Sequence, residues 1–361
     1  MLLTKIQDKI SQINQRLKAK TWSDKSIVYY TGHTPYQWSP KSLDSGLGGA
    51  DARIIYLSRE WVKLGYSVTV FINCGVHEGI YDGVNYQNYT KFNPFDRFDT
   101  LIMWQFAWRL SKNTKTNRLW LDLGSVLLPE EVTADKLEHY DRIFCKNSYH
   151  RSLLPEIEDS KIAIIPNGID KKFIGLKDNS KDLNKIIYAS NYIRGLEKML
   201  EYGWPIIKRE ISSAQLFIYY GWNEKTDSET KNKITKLMEQ PGVKEMGKVG
   251  RGILMKEKST SAINYYGCTF QELDCNTVRE SALVGCVPVT TNYAGLQDKT
   301  YCLKISGNPH LQETQENLAY KIVELLKNPE QLRQISLKFS ELVKYETWEN
   351  VAKLWLDEIE S

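Results

Sequence analysis

The chain has 361 residues, 42% of them hydrophobic and 25% charged, and a formal net charge of +4. A length beyond what one hydrophobic core supports implies two domains, while so small a positive excess argues against a nucleic-acid partner. No apolar run approaches the roughly 18 residues of a membrane span, no apolar leader with a small-residue cleavage site is present, and the six cysteines include no C-x-x-C pair, so a reduced cytoplasmic protein is expected.

Residues 1–20 carry Lys5, Lys9, Arg16, Lys18 and Lys20 against Asp8, which matches the whole net charge. Their apolar residues Leu3, Ile6, Ile10, Ile13 and Leu17 recur in steps of three and four, one stripe along a helix. Three uses of that stripe stay open: packing on the protein's own body, a helical partner or second copy, and an anionic membrane surface.

Strand-like and helix-like segments then alternate. Residues 26–32, 67–73, 99–105, 118–124, 141–147 and 161–167 read as short strands, with a clear helix from Ala50 to Leu64. The Lys-, Asp- and Asn-rich stretch 170–185 reads as a linker. The alternation restarts with strands at 184–190 and 215–221, separated by a helix near Gly195–Arg209. A polar helix through the 230s, strands at 261–267, 287–291 and 301–306, and two more helical stretches follow. Such alternation implies an α/β protein of two Rossmann-like domains, with parallel sheets covered by helices. Ligands of open α/β sheets bind beyond the C-terminal strand ends, so the cleft between the domains is the expected site.

Four motifs bear on that cleft. In residues 271–291, QELDCNTVRESALVGCVPVTT, Thr277 and Glu280 have the T-x-x-E form of a capping box opening a helix that runs to about Val284. Capping leaves Glu272 and the loop Asp274-Cys275-Asn276 unexplained, and a helix N-terminus after a polar loop offers N–H groups to an anion or to sugar hydroxyls. In residues 30–53, Gly46-Leu-Gly48-Gly49 is no dinucleotide fingerprint, because Asp51 stands where its third glycine belongs. Gly48 and Gly49 instead either let backbone approach a bulky ligand or form a surface hinge. Arg194-Gly195 follows a strand ending at Ser190 and suits a diphosphate clamp, the alternative being an ordinary solvent-facing arginine. Residues 247–251, GKVGR, form a glycine-flanked turn able to present backbone groups to a base.

Together these features resemble the GT-B glycosyltransferases, and within them the retaining family 4 group. The resemblance runs through GGADARIIYLSREWVKLGYSVTVF (48–71), IIPNGID (164–170), SNYIRGLEKML with QLFIYYGW, the E-x7-E pair Glu272 and Glu280, and ETWENVAKLWLDEI (346–359). It implies a first domain over 1–170 on the acceptor side, a donor domain over 171–345, and a C-terminal helix over 346–361 crossing back to the first. The implied reaction moves a sugar from a nucleotide sugar, UDP- or GDP-linked, to an acceptor hydroxyl on a glycan, glycolipid or glycoprotein, with retained configuration. No cofactor beyond that co-substrate and no essential metal is implied, and the five histidines show no metal-ligand spacing.

By the same resemblance, Glu280 holds the donor ribose and Glu272 lies beside the transferred sugar. Cys275, Asn276 and Thr277 supply backbone N–H groups, Arg194 and the Gly48 and Gly49 amides stabilise the leaving diphosphate, and Ser190, Gly221, Lys248 and Val249 complete the donor site. Two departures stand out. The first basic clamp of the family falls at Ser190 or Asn191, so Lys248 is expected to supply the missing charge. The family's acceptor-side histidine falls at Asp122, expected to bind the acceptor hydroxyl, to act as a base, or to be a structural residue left after loss of catalysis. Two other readings are a nucleotide-sugar-binding or scaffold protein without turnover and a nucleotide-sugar epimerase.

Overall fold

Runs of β-branched and aromatic residues build two parallel sheets in the computed structural model, which describes residues 12–105, 114–127, 130–176, 181–222 and 226–360. The first sheet uses β1 (Ser26–Tyr30), β2 (Ser67–Ile72), β3 (Gly79–Tyr81), β4 (Val84–Asn88), β5 (Arg97–Trp104), β6 (Lys115–Asp122), β7 (Arg142–Cys145) and β8 (Ile162–Ile164). Their order is β3-β4-β2-β1-β5-β6-β7-β8, parallel throughout except for the β3–β4 hairpin. The second sheet uses β9 (Asp182–Ala189), β10 (Gln215–Tyr219), β11 (Val243–Gly247), β12 (Ser261–Tyr266), β13 (Val287–Thr291) and β14 (Leu303–Ile305), in the order β11-β10-β9-β12-β13-β14. Ile27, Val28 and Tyr29 in β1, and every residue of β12 and β13, are buried in sequence. Consecutive burial marks strands covered on both faces, the condition of a parallel sheet.

The Gly49–Lys63 helix packs on the first sheet, and the last helix, Trp348–Glu360, lies beside it. Trp348, Val351, Ala352 and Trp355 belong to the first domain's core, and the Trp355 ring stacks on Phe144 at 3.5 Å between centroids. Backbone bonds between Ile169 and the start of this helix join the two crossings of the chain: Ile169 N donates to Glu346 O at 2.8 Å and Trp348 N to Ile169 O at 3.0 Å. Gly168 is required there, because a Cβ on it would lie 2.6 Å from the Trp348 nitrogen.

The short hairpin β3–β4, the edge strand β11 and the Arg251–Thr260 helix are elements that the apolar pattern does not announce. Of the expected leading helix, residues 1–11 lie outside the described residues; residues 12–17 are helical. Ile13 and Leu17 are 57% and 79% exposed, so at these two positions the stripe does not pack on the protein's own body. No helix among the described residues is long and apolar enough to cross a membrane.

Candidate functional site

The strand ends of the second domain carry one linked set of side chains. Arg194 follows β9 and its Nη1 pairs with Glu272 Oε1 at 2.5 Å. The Tyr266 hydroxyl at the end of β12 donates to the same oxygen at 2.7 Å, and Ser190 Oγ lies 3.3 Å from Tyr266 Oη. Gly195 turns the chain with φ +111°, and a Cβ there would overlap the Gly267 carbonyl, so the turn that aims Arg194 admits only glycine. Burial works against the Arg194 charge, but the Glu272 carboxylate outweighs it and raises the guanidinium's pKa.

Glu272 opens a loop into the Asn276–Leu283 helix. The expected capping box does not form. The N-cap is Cys275, the Thr277 hydroxyl is buried without a hydrogen-bond partner among the described residues, and Glu280 faces two cations instead. Glu280 Oε2 accepts from Lys258 Nζ at 2.8 Å, and Oε1 pairs with Arg251. Two charge-assisted partners outcompete one backbone N–H for a carboxylate. Burial, with Arg251 nearby, pushes the Lys258 ammonium down to about 7.

Behind the loop lies a second buried charge group. Arg279 Nη2 donates to Asp274 Oδ1 at 2.7 Å and Arg279 Nε to Glu346 Oε2 at 2.6 Å, and Lys299 also pairs with Asp274. Burial of Asp274 is opposed and outweighed by Arg279 and Lys299, which hold its carboxyl well below the usual range. This group fastens the Glu272–Glu280 segment to the chain crossing at Glu346.

The first domain meets this set through its glycine loop. Gly48 caps the Gly49–Lys63 helix and Gly49 is its first residue. A Cβ on Gly49 would lie 2.7 Å from Asn276 Nδ2, and one on Gly46 would lie 2.9 Å from the Lys248 side chain and the Val249 carbonyl. A cleft of about 540 Å³ lies between the domains, and Gly48, Asp51, Tyr220, Lys248, Val249 and Arg251 are in its wall. Gly221 has φ +79°, and the preceding Tyr220 has φ +127°, a strained value for a residue with a side chain. The Tyr220 phenol is raised by burial and feels Arg194, Asp51 and Glu272. One phenol therefore sits within electrostatic reach of both halves of the set.

Gly48, Lys248 and Val249 thus share the cleft, Arg194, Glu272 and Ser190 form the linked group beyond it, and Gly49 and Asn276 touch where they meet. Cys275 and Thr277 are buried in the helix start, and Gly221 follows Tyr220 at the cleft wall.

Asp122 is placed otherwise. It has no exposed surface; Tyr29 Oη donates to Oδ2 at 2.5 Å, Lys146 Nζ to Oδ1 at 3.0 Å, and Arg53 Nη2 lies 2.9 Å from Oδ2. Burial of Asp122 is outweighed by the Arg53 and Lys146 charges, which hold its carboxyl below the usual value. With both oxygens engaged and no surface, it fits the structural reading of this position rather than contact with an acceptor. Asp51, Tyr36, Tyr220, Tyr266 and Lys258 are site neighbours that sequence reasoning missed. Only Asp51, in the first turn of the glycine-loop helix, carried a signal there. Among the described residues, no group of three His, Cys, Asp or Glu is arranged to hold a metal ion.

No protein-family model and no curated protein matches the sequence. Solved structures do match the fold. Sucrose-phosphate synthase from Thermosynechococcus elongatus superposes with a TM-score of 0.71 at 13% identity, covering 95% of this chain and 98% of that one. Anabaena HepE in complex with UDP and glucose gives 0.68 at 11% identity over 93% and 99% of the two chains. The trehalose-6-phosphate synthase OtsA gives 0.69 at 11% identity over 93% and 99%. These neighbours are GT-B glycosyltransferases, and the chain shares their fold: two parallel-sheet α/β domains facing one another across a cleft.

Proposed function

We propose that this chain is a retaining glycosyltransferase of the family 4 type, acting in the cytoplasm. It would move a hexosyl or pentosyl group from a UDP- or GDP-sugar to an acceptor hydroxyl of a glycan, glycolipid or glycoprotein, without an essential metal. The observation that carries this reading is the Arg194–Glu272 pair, set at the loop that leads to Glu280 and that meets Gly49 at Asn276. A cation and a carboxylate side by side at the strand ends next to a cleft suit a ligand with a diphosphate next to a polyhydroxy ring. The solved HepE complexes with UDP-glucose support a nucleotide sugar as the donor class.

In this reading, the diphosphate takes Arg194 from Glu272 and draws further charge stabilisation from Lys248 and the Gly48 and Gly49 amides. Glu272, released from the pair, accepts hydroxyls of the donor sugar. Glu280 binds the ribose from a carboxylate held in place by Lys258. The Cys275–Thr277 amides face the sugar or diphosphate, while Ser190, Gly221 and Val249 shape the pocket around the nucleotide. The acceptor hydroxyl attacks on the face the diphosphate leaves, and the departing phosphate oxygen takes its proton. Arg194 and Glu272 are the catalytic residues of this scheme; Asp122 is assigned to holding the first domain together.

A second reading is a protein that binds the nucleotide sugar without turnover. It is favoured by one observation: both Glu280 oxygens are engaged by cations of the chain itself, Arg251 and Lys258. Incubation with UDP- and GDP-sugars in EDTA, with and without an acceptor mixture, separates the two readings. Release of nucleoside diphosphate, with the transferred sugar keeping its anomeric configuration by NMR, is expected. Binding without release would establish the second reading, and release of an epimerised free sugar would establish an epimerase.

A further inference from the structure

The three most exposed large apolar side chains among the described residues are Val76, Leu17 and Ile80, at 90%, 79% and 75%. Single exposed apolar residues are ordinary, but these belong to one rim of the first domain. Val76 precedes β3 and Ile80 lies in it, while Leu17 and the exposed Ile13 lie on the helical turn 12–17. Both elements are tied to residues 88–95, the segment between β4 and β5. On one side, Glu78 accepts from the Asn88 N–H at 2.8 Å and pairs with Lys91 at 2.6 Å. On the other, Asn93 Nδ2 donates to the Gln15 carbonyl at 2.9 Å, and the Arg16 guanidinium lies over the Phe95 ring at 4.9 Å.

The helical turn is therefore held to the body by Gln15 and Arg16, its polar residues. Ile13 and Leu17, four positions apart and so on one side of the turn, are left outward. A surface helix that packed for its own chain would bury that stripe instead. Cations accompany it. Lys18 and Lys20 follow the turn, and the Lys20 ammonium lies 3.7 Å from the centre of the Trp22 ring. Asp96, close by, is buried and accepts from the Lys20 N–H and the Trp22 indole, both at 2.9 Å. With Lys5 and Lys9 earlier in the sequence, residues 1–20 hold a net charge equal to that of the whole chain.

We infer that this rim docks on the surface of an anionic lipid bilayer, with Ile13, Leu17, Val76 and Ile80 entering the interfacial layer and the neighbouring cations lying among the headgroups. Apolar side chains on two separate elements suit a fluid surface, where each inserts on its own while lysine and arginine heads stay at the polar level. Charge selects the anionic leaflet: a second copy would set the same positive segment against itself, whereas acidic headgroups complement it. The inference goes beyond the glycosyl-transfer reading and does not depend on it.

Vesicle co-sedimentation of the full chain tests it, with phosphatidylcholine alone and with an equimolar mixture of phosphatidylcholine and phosphatidylglycerol. The chain is expected to bind the mixed vesicles about tenfold or more tightly than the neutral ones in about 0.1 M salt, and to lose most of that preference in about 1 M salt. Ile13→Ser with Leu17→Ser, and separately Val76→Ser with Ile80→Ser, are each expected to weaken binding about tenfold. All four side chains are exposed, so thermal melting should stay at the wild-type value. Equal binding to the two vesicles, binding to neither, or binding that either pair of substitutions leaves unmoved overturns the inference. A chain that forms a dimer without vesicles, lost in the Ile13 and Leu17 pair, overturns it in favour of a second copy.

Discussion

Arg194 and Glu272, 78 residues apart in sequence, meet at 2.5 Å at the strand ends of the second domain. The pair occupies the place proposed for a diphosphate and a sugar, so a donor must exchange itself for this contact. Arg194→Ala is expected to lower kcat by about 10²–10³ with the donor at saturation, the scale of losing one preorganised charge contact. Steady-state kinetics on the variant and on Glu272→Gln measure it. An unchanged kcat in Arg194→Ala would separate the pair from the chemistry.

Asp122 gives the opposite expectation. Its carboxylate neutralises Arg53 and Lys146 where none of the three is exposed by more than 3%. Removing it leaves two buried cations, at a cost of about 3–5 kcal/mol. Asp122→Asn should lower the denaturation midpoint on that scale, yet change kcat by less than about threefold below its melting temperature. A large fall in kcat with intact stability would return Asp122 to the acceptor.

The Asp274–Arg279 pair fastens the Glu272–Glu280 segment from behind. Arg279→Met should destabilise the fold by about 3–5 kcal/mol, and adding Asp274→Leu should deepen the loss, because buried Lys299 then loses the carboxylate it shares with Arg279. Urea denaturation of the single and double variants measures it, and a double variant as stable as the single would show that Lys299 does not depend on Asp274. Asp274 also links stability to acid: its folded value is depressed, so its contribution is present above the ordinary carboxylate range and is lost as pH falls through and below it.

Asp51 works with the opposite sign. Burial pushes its carboxyl up to about 6 from an ordinary 3.8, against the Tyr36 hydrogen bond and the charges of Arg53 and Lys248. Between those two values the folded chain binds more protons than the unfolded one, so stability falls as pH rises through the window and levels off above it. Asp51→Asn removes this penalty and should gain about 2–3 kcal/mol at pH 7, shrinking toward zero near pH 3.5. An equal gain at both pH values would show that ionisation is not its source.

The parts of the fold that the sequence made legible are those whose side chains answer to burial alone. β12 and β13 carry no charged residue because both faces are covered, and the E-x7-E spacing survives as a loop leading into a helix. β11 was missed because Lys244, Glu245 and Met246 lie exposed at the sheet edge, where no apolar alternation is imposed. The capping pattern at Thr277 and Glu280 misled because it is local, whereas Glu280 is captured by Lys258 and Arg251, 22 and 29 positions earlier. Asp122 shows the same limit: its partners come from β1 (Tyr29), the Gly49–Lys63 helix (Arg53) and the turn after β7 (Lys146). Nor does any neighbour in sequence announce the positive φ of Tyr220, which accompanies its backbone bond to the Gly247 carbonyl of β11.

Calorimetric titration of UDP and GDP into the wild-type chain and into Glu280→Ala, in EDTA, bears most directly on the donor site. One nucleotide should bind the wild type and bind the variant at least about tenfold more weakly, the loss of a charged hydrogen-bond partner. Equal affinity in the two chains, or no nucleotide binding by a folded wild type, would contradict the assignment of this cleft to a nucleotide sugar.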